Sequence, residues 1–425
     1  MVAFVSRTRA ARAVGVLVGL LLCLRPAAAQ LPEGAQQVRV RLLHGVRVER
    51  VDVQATGGDL TVTLPDLSTD PLLRIDAGET ATISRRGGEL ALAHGDRWIY
   101  ARALKISGAT LSLTPSAGAA RAYTGALYIT PEGNALQLVN EVPLPDYVAS
   151  VVASEYPFKD EAGARAMAVV ARTYALRATG KFSGSYDHVD GTASQVYKGV
   201  SAVTATARDA AQDTRGEVVT YDGELIAAVY FSSSGGHTAD NEDVWDADEV
   251  LPYLRGRPDP YDKPSPHHRW TARVSRPAVL RALSAHYNID VQGFYLGDRS
   301  EDGRLMFFKL LKPNGQTTRV QANDFRLAVN NGVSGAPLKS TWFDARRSGD
   351  TYVIEGRGYG HGVGLAQWGA HVMAQRGHSY REILTFYYDG VSITTLENVP
   401  QAPVANAPKP LADRPTEETR RRIGW

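Results

Sequence analysis

The chain of 425 residues is almost without cysteine: it has one, Cys23. A disulfide framework is therefore excluded, and if residue 23 is lost on maturation so are a cysteine nucleophile and thiolate-held zinc. Charge of one sign is also lacking. With 47 basic and 45 acidic side chains, there is no basic excess to bind nucleic acid through an overall field. Beyond residue 30 no apolar run reaches the ~20 residues needed to cross a bilayer, so no transmembrane segment is expected in the mature chain. What is present, 44% apolar and 22% charged residues, suits a globular protein and excludes disorder throughout.

The N-terminus reads as a sorting segment. Arg7, Arg9 and Arg12 precede an apolar run from Ala13 to Leu24, and Ala27-Ala28-Ala29 supplies small residues for cleavage. Residues 1–29 are expected to be a signal peptide, with the mature protein exported to the periplasm or cell wall. Cleavage would remove the lone cysteine, and four arginines with no acid, turning the balance slightly acidic. A lipoprotein reading meets Leu22 where a small residue is wanted before Cys23. An uncleaved anchor is the other reading.

The fold class expected is α+β, a strand-rich N-terminal region followed by mixed α/β lobes enclosing a cleft. Residues 30–118 carry alternating stretches such as Val38-Arg39-Val40-Arg41-Leu42, the period of half-buried strands. Residues 119–398 form the second region, and 399–425, Pro/Ala-rich and then charged, a tail of disordered composition. Within the second region a helix capped by Asp146 ends at Pro157, and another spans Ala162 to Leu176. Tyr221-Asp222-Gly223-Glu224 predicts a type I′ hairpin joining strands at 217–221 and 225–231. A second hairpin surrounds Asn314-Gly315. Helices are predicted at 277–287 and 365–376, and a Ser379–Glu382 capping box starts a last one ending near Tyr388.

Several segments could carry chemistry. Glu155 sits at the C-terminal end of the first helix, where the helix dipole and burial against Tyr156 and Phe158 both favour its protonated form. That is the condition for a general acid near neutral pH; the alternative is a surface glutamate at a frayed helix end. Arg165 and Arg172, seven residues apart, share one face of the second helix and could grip a carboxylate or steady developing charge, or simply face solvent. Gln195 and Tyr197 alternate with Val196, so both could face a sugar from one strand. His188, between Asp187 and Asp190, lacks further ligands at recognisable spacing, and no metal or cofactor is expected. Ser232-Ser233-Ser234-Gly235-Gly236 lacks the G-x-S-x-G context of a serine nucleophile, and its glycines suit a tight turn or close backbone approach. Gly356 to Gly364 places five glycines on alternate positions without matching a nucleotide fingerprint. Read as an extended strand with one bare side, it admits another backbone or a flat sugar, with His361 and Gln367 beside it.

Taken in order, these segments resemble the stage II sporulation protein D / amidase enhancer (LytB) family. The matching pieces begin with Asn140-Glu141-Val142-Pro143 through Tyr147, Ser154-Glu155-Tyr156-Pro157 and Ala171-Arg172-Thr173-Tyr174. Gln195-Val196-Tyr197-Lys198-Gly199, Ser233-Ser234-Gly235-Gly236-His237 and Asp243-Val244-Trp245 follow, and then the glycine run through Gln367-Trp368-Gly369-Ala370. The resemblance implies a peptidoglycan-directed protein. Its sporulation member is a lytic transglycosylase of peptide-free glycan strands, cleaving between N-acetylmuramic acid and N-acetylglucosamine. That implies Glu155 as acid then base, Arg172 as a second required residue, and Arg165, Tyr174, Gln195, Tyr197, Ser233, Ser234, Gly235, His361 and Gln367 on the substrate. Other members enhance a cell-wall amidase, which implies the alternative of a non-catalytic wall-binding protein partnered with such an enzyme. Some relatives hold zinc through histidine and cysteine after the second helix. His188 lies there but no cysteine does, so zinc is not carried over.

Overall fold

The computed structural model describes residues 36–399 apart from 66–69, 180–181, 183–184, 246–248 and 336. The expected signal peptide and the 400–425 part of the tail lie outside the described residues. The expected α+β class is what is found, strand-rich first and then helices with small sheets.

Alternation dictates the N-terminal half. Gln37–Leu42 buries Val38, Val40 and Leu42 while the arginines between them face outward, and Leu60–Thr63 repeats the pattern. These strands build a seven-stranded and a six-stranded sheet whose buried faces share one core, with Val51, Ile83 and Leu92 from one and Ile106, Leu127 and Ile129 from the other. The larger sheet does not stop at residue 118. Ala126–Glu132 and Ala135–Pro143 pair in it, and His188–Val189 adds a parallel edge to Gln37–Leu42. The same core continues to Tyr388.

The helical layer begins where the last long strand ends. Helix α1 (Leu144–Glu155) starts two residues before Asp146, with Pro143 at the cap position, while Asp146 accepts a hydrogen bond from Thr124 Oγ1 instead of capping (2.7 Å). Helix α2 (Glu161–Arg177) is capped by Asp160, which accepts from the Gly163 N–H (2.9 Å). Five of its six alanines, 164, 166, 168, 171 and 175, are buried. That lets α1, α3 (Ala205–Asp213), α7 (Gln367–Gln375) and α8 (Tyr380–Tyr387) approach it closely. The Ser379–Glu382 capping box at α8 is present in both directions. At the 217–225 hairpin Asp222 and Gly223 both have positive φ (50° and 83°), as a type I′ turn requires. Its second strand is shorter than expected. Only Glu224–Leu225 pairs back, and Tyr230–Phe231 pairs with Leu365–Ala366.

An inserted lobe occupies residues 270–356, and its ends meet where Trp270 pairs with Gly356. It holds two three-stranded sheets, α5 (Arg276–Tyr287) and α6 (Ala322–Gly332) around its own core, in which Phe308 and Phe325 stack at 3.8 Å. The fully buried Arg304 fastens this lobe to the main body, donating to the carbonyls of Ser234 (2.7 Å) and His237 (2.9 Å). A short helix α4 (Asn241–Trp245) lies against α6, where Gln321 Nε2 donates to the Val244 carbonyl. Among the described residues no helix is long and apolar enough to cross a membrane.

Candidate active site at the end of the first helix

Pro157 stops α1, so Glu155 closes its last turn with no basic residue nearby on the helix to offset the dipole. Its side chain is half-buried, not extended into solvent. One carboxyl oxygen accepts the Val196 N–H (2.8 Å) and the Gln367 amide donates to the Glu155 carbonyl (2.8 Å), while the Tyr230 hydroxyl lies near enough to favour the charged form of the carboxyl group. Behind these donors runs an oriented chain, in which Tyr147 OH donates to Gln195 Oε1 (3.1 Å) and Gln195 Nε2 donates to Tyr230 OH (3.4 Å). Burial is the largest influence on Glu155 and raises its pKa; the Val196 N–H, Tyr230, Lys198 and Gln367 pull it down without prevailing. None of these leading influences is a second carboxylate. The arrangement can hold a proton on Glu155 and then accommodate the carboxylate left after the proton is given up.

Beside the acid, Phe158 stacks on His371 (4.0 Å between ring centres) and meets Trp368 edge-on (4.8 Å), a half-buried aromatic wall. Across from it lies the glycine run, and here the extended-strand expectation is corrected. Gly358, Gly360, Gly362 and Gly364 all have positive φ, so the segment winds through left-handed positions. A Cβ at Gly364 would stand 2.2 Å from the Val229 carbonyl oxygen, and one at Gly358 2.7 Å from that of Ser233. The glycines let the ribbon lie against residues 229–235, and that neighbour is protein backbone.

Gln367 is hydrogen-bonded to Glu155, and Gln195 lies behind it, bonded to Tyr230. Other expected substrate contacts point elsewhere. Gln195 and Tyr197 are fully buried and Val196 is not on a strand; it is the Val196 backbone that meets Glu155. Tyr197 donates to Asn140 Oδ1 (2.7 Å) and stacks on Tyr147, which fixes it in the core. Arg172 is fully buried, its guanidinium donating to the carbonyls of Ala211 and Glu217 (3.0 Å each), so it ties α2 to α3 and to strand Glu217–Tyr221 and is closed to a sugar carboxylate. Arg165 shares that face but lies nearer solvent, paired with Glu161 and Asp213. Tyr174 and Tyr147 sandwich the buried His188, whose Nε2 meets the Ala175 carbonyl (2.9 Å).

Ser233, Ser234 and Gly235 wrap an internal anion. Ser233 Oγ and the Ser234 and Gly235 N–H groups all donate to the wholly buried Asp262, at 3.0, 2.8 and 2.9 Å. His361 is also committed to structure. Its Nε2 donates to the Tyr230 carbonyl (2.9 Å) and Nδ1 accepts the Val363 N–H (3.1 Å), while burial and the nearby Arg326 push its pKa down to about 3. Among the described residues no three His, Asp, Glu or Cys side chains cluster closely enough to hold a metal ion.

Comparison with known proteins bears on this site. A family model described as "Stage II sporulation protein", SpoIID, matches residues 132–221, the stretch that carries Glu155, Arg172, Gln195 and Tyr197. Stage II sporulation protein D of Bacillus subtilis (strain 168) is 34% identical over 278 residues, covering 61% of this chain and 76% of that protein. The chain belongs to the SpoIID family. The same-named protein of Bacillus amyloliquefaciens is 33% identical over the same span. A second SpoIID relative, named "Amidase enhancer", from Bacillus subtilis (strain 168), is 28% identical over 280 residues, 54% of this chain and 38% of its own length. SpoIID/LytB is a cell-wall and sporulation protein family.

The Tyr230 hydroxyl, the Val196 N–H and Tyr147 were not expected at this site. A backbone donor leaves no residue-type signal, and Tyr230 comes from a short strand that pairs with Leu365–Ala366, far along the chain from the acid.

Proposed function

We propose that this SpoIID protein is an exported lytic transglycosylase that cleaves the bond between N-acetylmuramic acid and N-acetylglucosamine in peptide-free glycan strands. The observation that carries the reading is the half-buried carboxyl group of Glu155 at the end of α1, its pKa raised by burial while the Val196 N–H bonds one of its oxygens. Hydrolysis by the usual route needs two carboxylates, one of them to activate water or attack the sugar. Transglycosylation needs one. Protonated Glu155 gives its proton to the glycosidic oxygen as the bond from C1 breaks. The carboxylate, now stabilised by the Val196 N–H and Tyr230, takes the proton from the muramic acid 6-hydroxyl as O6 closes on C1. Acid form and 1,6-anhydro product result, with no water consumed.

Digestion of peptide-free strands in ¹⁸O-labelled water tests the reaction class. Transglycosylation leaves unlabelled muramic ends lighter by one water, whereas labelled reducing ends mean hydrolysis. The relative named "Amidase enhancer" motivates an added arm: absence of glycan cleavage together with faster peptide release from whole wall by an amidase would assign the chain to the enhancer role.

A further inference from the structure

On the far side of the glycine ribbon the inserted lobe presents a guanidinium without a carboxylate. Arg326, half-buried on α6, donates through Nε to Asn323 Oδ1 (3.0 Å) and through Nη1, weakly, to the Lys339 carbonyl (3.4 Å). Among the described residues no acid pairs with it; of the acids on and beside the nearby α4, Glu242 and Asp240 are taken by Arg255, and Asp243 makes no ion pair with Arg326. The Lys339 carbonyl also accepts the Gly360 N–H (2.8 Å), which fixes Arg326 against the ribbon. The Lys339 ammonium lies 5.9 Å from the ring centre of Tyr359, which is 41% exposed, and 3.1 Å from His267 Nδ1.

The two cations leave an electrostatic mark on their surroundings. After burial, Arg326 is the next largest influence depressing His361, and Lys339 the next depressing His267. Burial also pulls the Arg326 guanidinium itself down to about 10, with Tyr359 as the opposing influence. A half-buried guanidinium with N–H groups left unbonded is stabilised when an anion completes it. The ribbon leads from here to the acid, since His361 holds the Tyr230 carbonyl and the Tyr230 side chain lies near Glu155.

We infer that Arg326 and Lys339, joined through the Lys339 carbonyl beside the glycine ribbon, form an anion subsite that takes a carboxylate of the bound glycan, the lactyl carboxylate of a muramic acid residue, with Tyr359 against the sugar. This rests on the glycan reading above and moves the carboxylate-holding role from the buried Arg172 to the inserted lobe. The three remaining guanidinium hydrogens and the lysine suit a planar oxyanion.

The test is binding, so that it stands apart from catalysis. Peptide-free glycan strands, native or with their lactyl carboxyls reduced to alcohols, are titrated against the full chain, R326Q, K339Q and E155Q. The wild type and E155Q are expected to prefer native strands about tenfold or more, the loss of a charge-assisted pair. R326Q and K339Q are expected to lose most of that preference. K339Q keeps the carbonyl that braces the ribbon, so it tests the subsite even if R326Q fails to fold. Equal binding of native and reduced strands by the wild type, or an undiminished preference in K339Q and a folded R326Q, overturns the subsite. Neither result touches the anhydro-product test, and absence of anhydro ends leaves the binding comparison standing.

Discussion

Replacing Arg172 by alanine distinguishes a residue that holds the fold from one that holds the substrate. The guanidinium donates at 3.0 Å to two carbonyls, that of Ala211, buried, and that of Glu217, partly buried, and more weakly to Thr214 Oγ1 at 3.4 Å. Hydrogen bonds involving a charged group contribute about 1.5–3 kcal/mol each, and stranded buried carbonyls retain their desolvation penalty. Counting only the two short bonds, Arg172→Ala should destabilise by about 3–6 kcal/mol, a large part of an ordinary domain's stability. Arg172→Lys keeps the charge but loses the fork that spans both carbonyls, and should fall between. Urea unfolding followed by circular dichroism measures the loss, with glycan cleavage assayed well below each transition. An unchanged unfolding midpoint with abolished cleavage would refute the inward placement and return Arg172 to the substrate.

Other consequences can be checked separately. Because burial raises the Glu155 pKa, activity should be present below that raised value and decline as pH climbs through it; cleavage that is flat or rising through the same range contradicts the acid role. Asp259 is buried, and desolvation raises its pKa to about 6. Its folded form holds a proton more tightly than the unfolded chain, so the stability it adds is complete below about pH 4 and lost as pH rises through about 6. Asp259→Asn should remove on the order of 2–3 kcal/mol of that pH dependence in denaturant titrations, and an unaltered pH profile would refute it. His361, pushed down to about 3, should show no imidazole titration by NMR between pH 5 and 8; a midpoint near the ordinary 6.5 would contradict its neutral bonding pattern. Ser379→Ala removes one half of the α8 capping box and should cost about 1 kcal/mol, read as a shift in the urea midpoint.

Local rules carried the sequence reading as far as neighbours in the chain decide the outcome. The helix ending at Glu155-Tyr156-Pro157, the Asp222-Gly223 turn and the Ser379 box are each settled within a few residues. Glu155 itself was legible because helix end, proline and adjacent aromatics all act on one side chain. Arg172 was not. Its spacing from Arg165 correctly put both on one face, but that face meets α3, a helix the sequence reading did not anticipate. Gln195 and Tyr197 alternate with Val196 like a strand, yet the segment is irregular, and its backbone, not its side chains, meets the acid. Ser233 to Gly235 suit a tight turn or close backbone approach, and the resemblance implied them on the substrate; what their donors approach is Asp262, close in space through a fold that pattern reading does not supply. The glycine ribbon likewise showed its need for close approach in its composition. Positive φ at every second residue belongs to the neighbours it winds around.

The most direct test of the central claim is product analysis on peptide-free glycan strands treated in parallel with the wild type and Glu155→Gln, both shown to be folded by circular dichroism. The account predicts 1,6-anhydromuramic ends from the wild type and none above background from Glu155→Gln. Anhydro ends released equally by both proteins would contradict it.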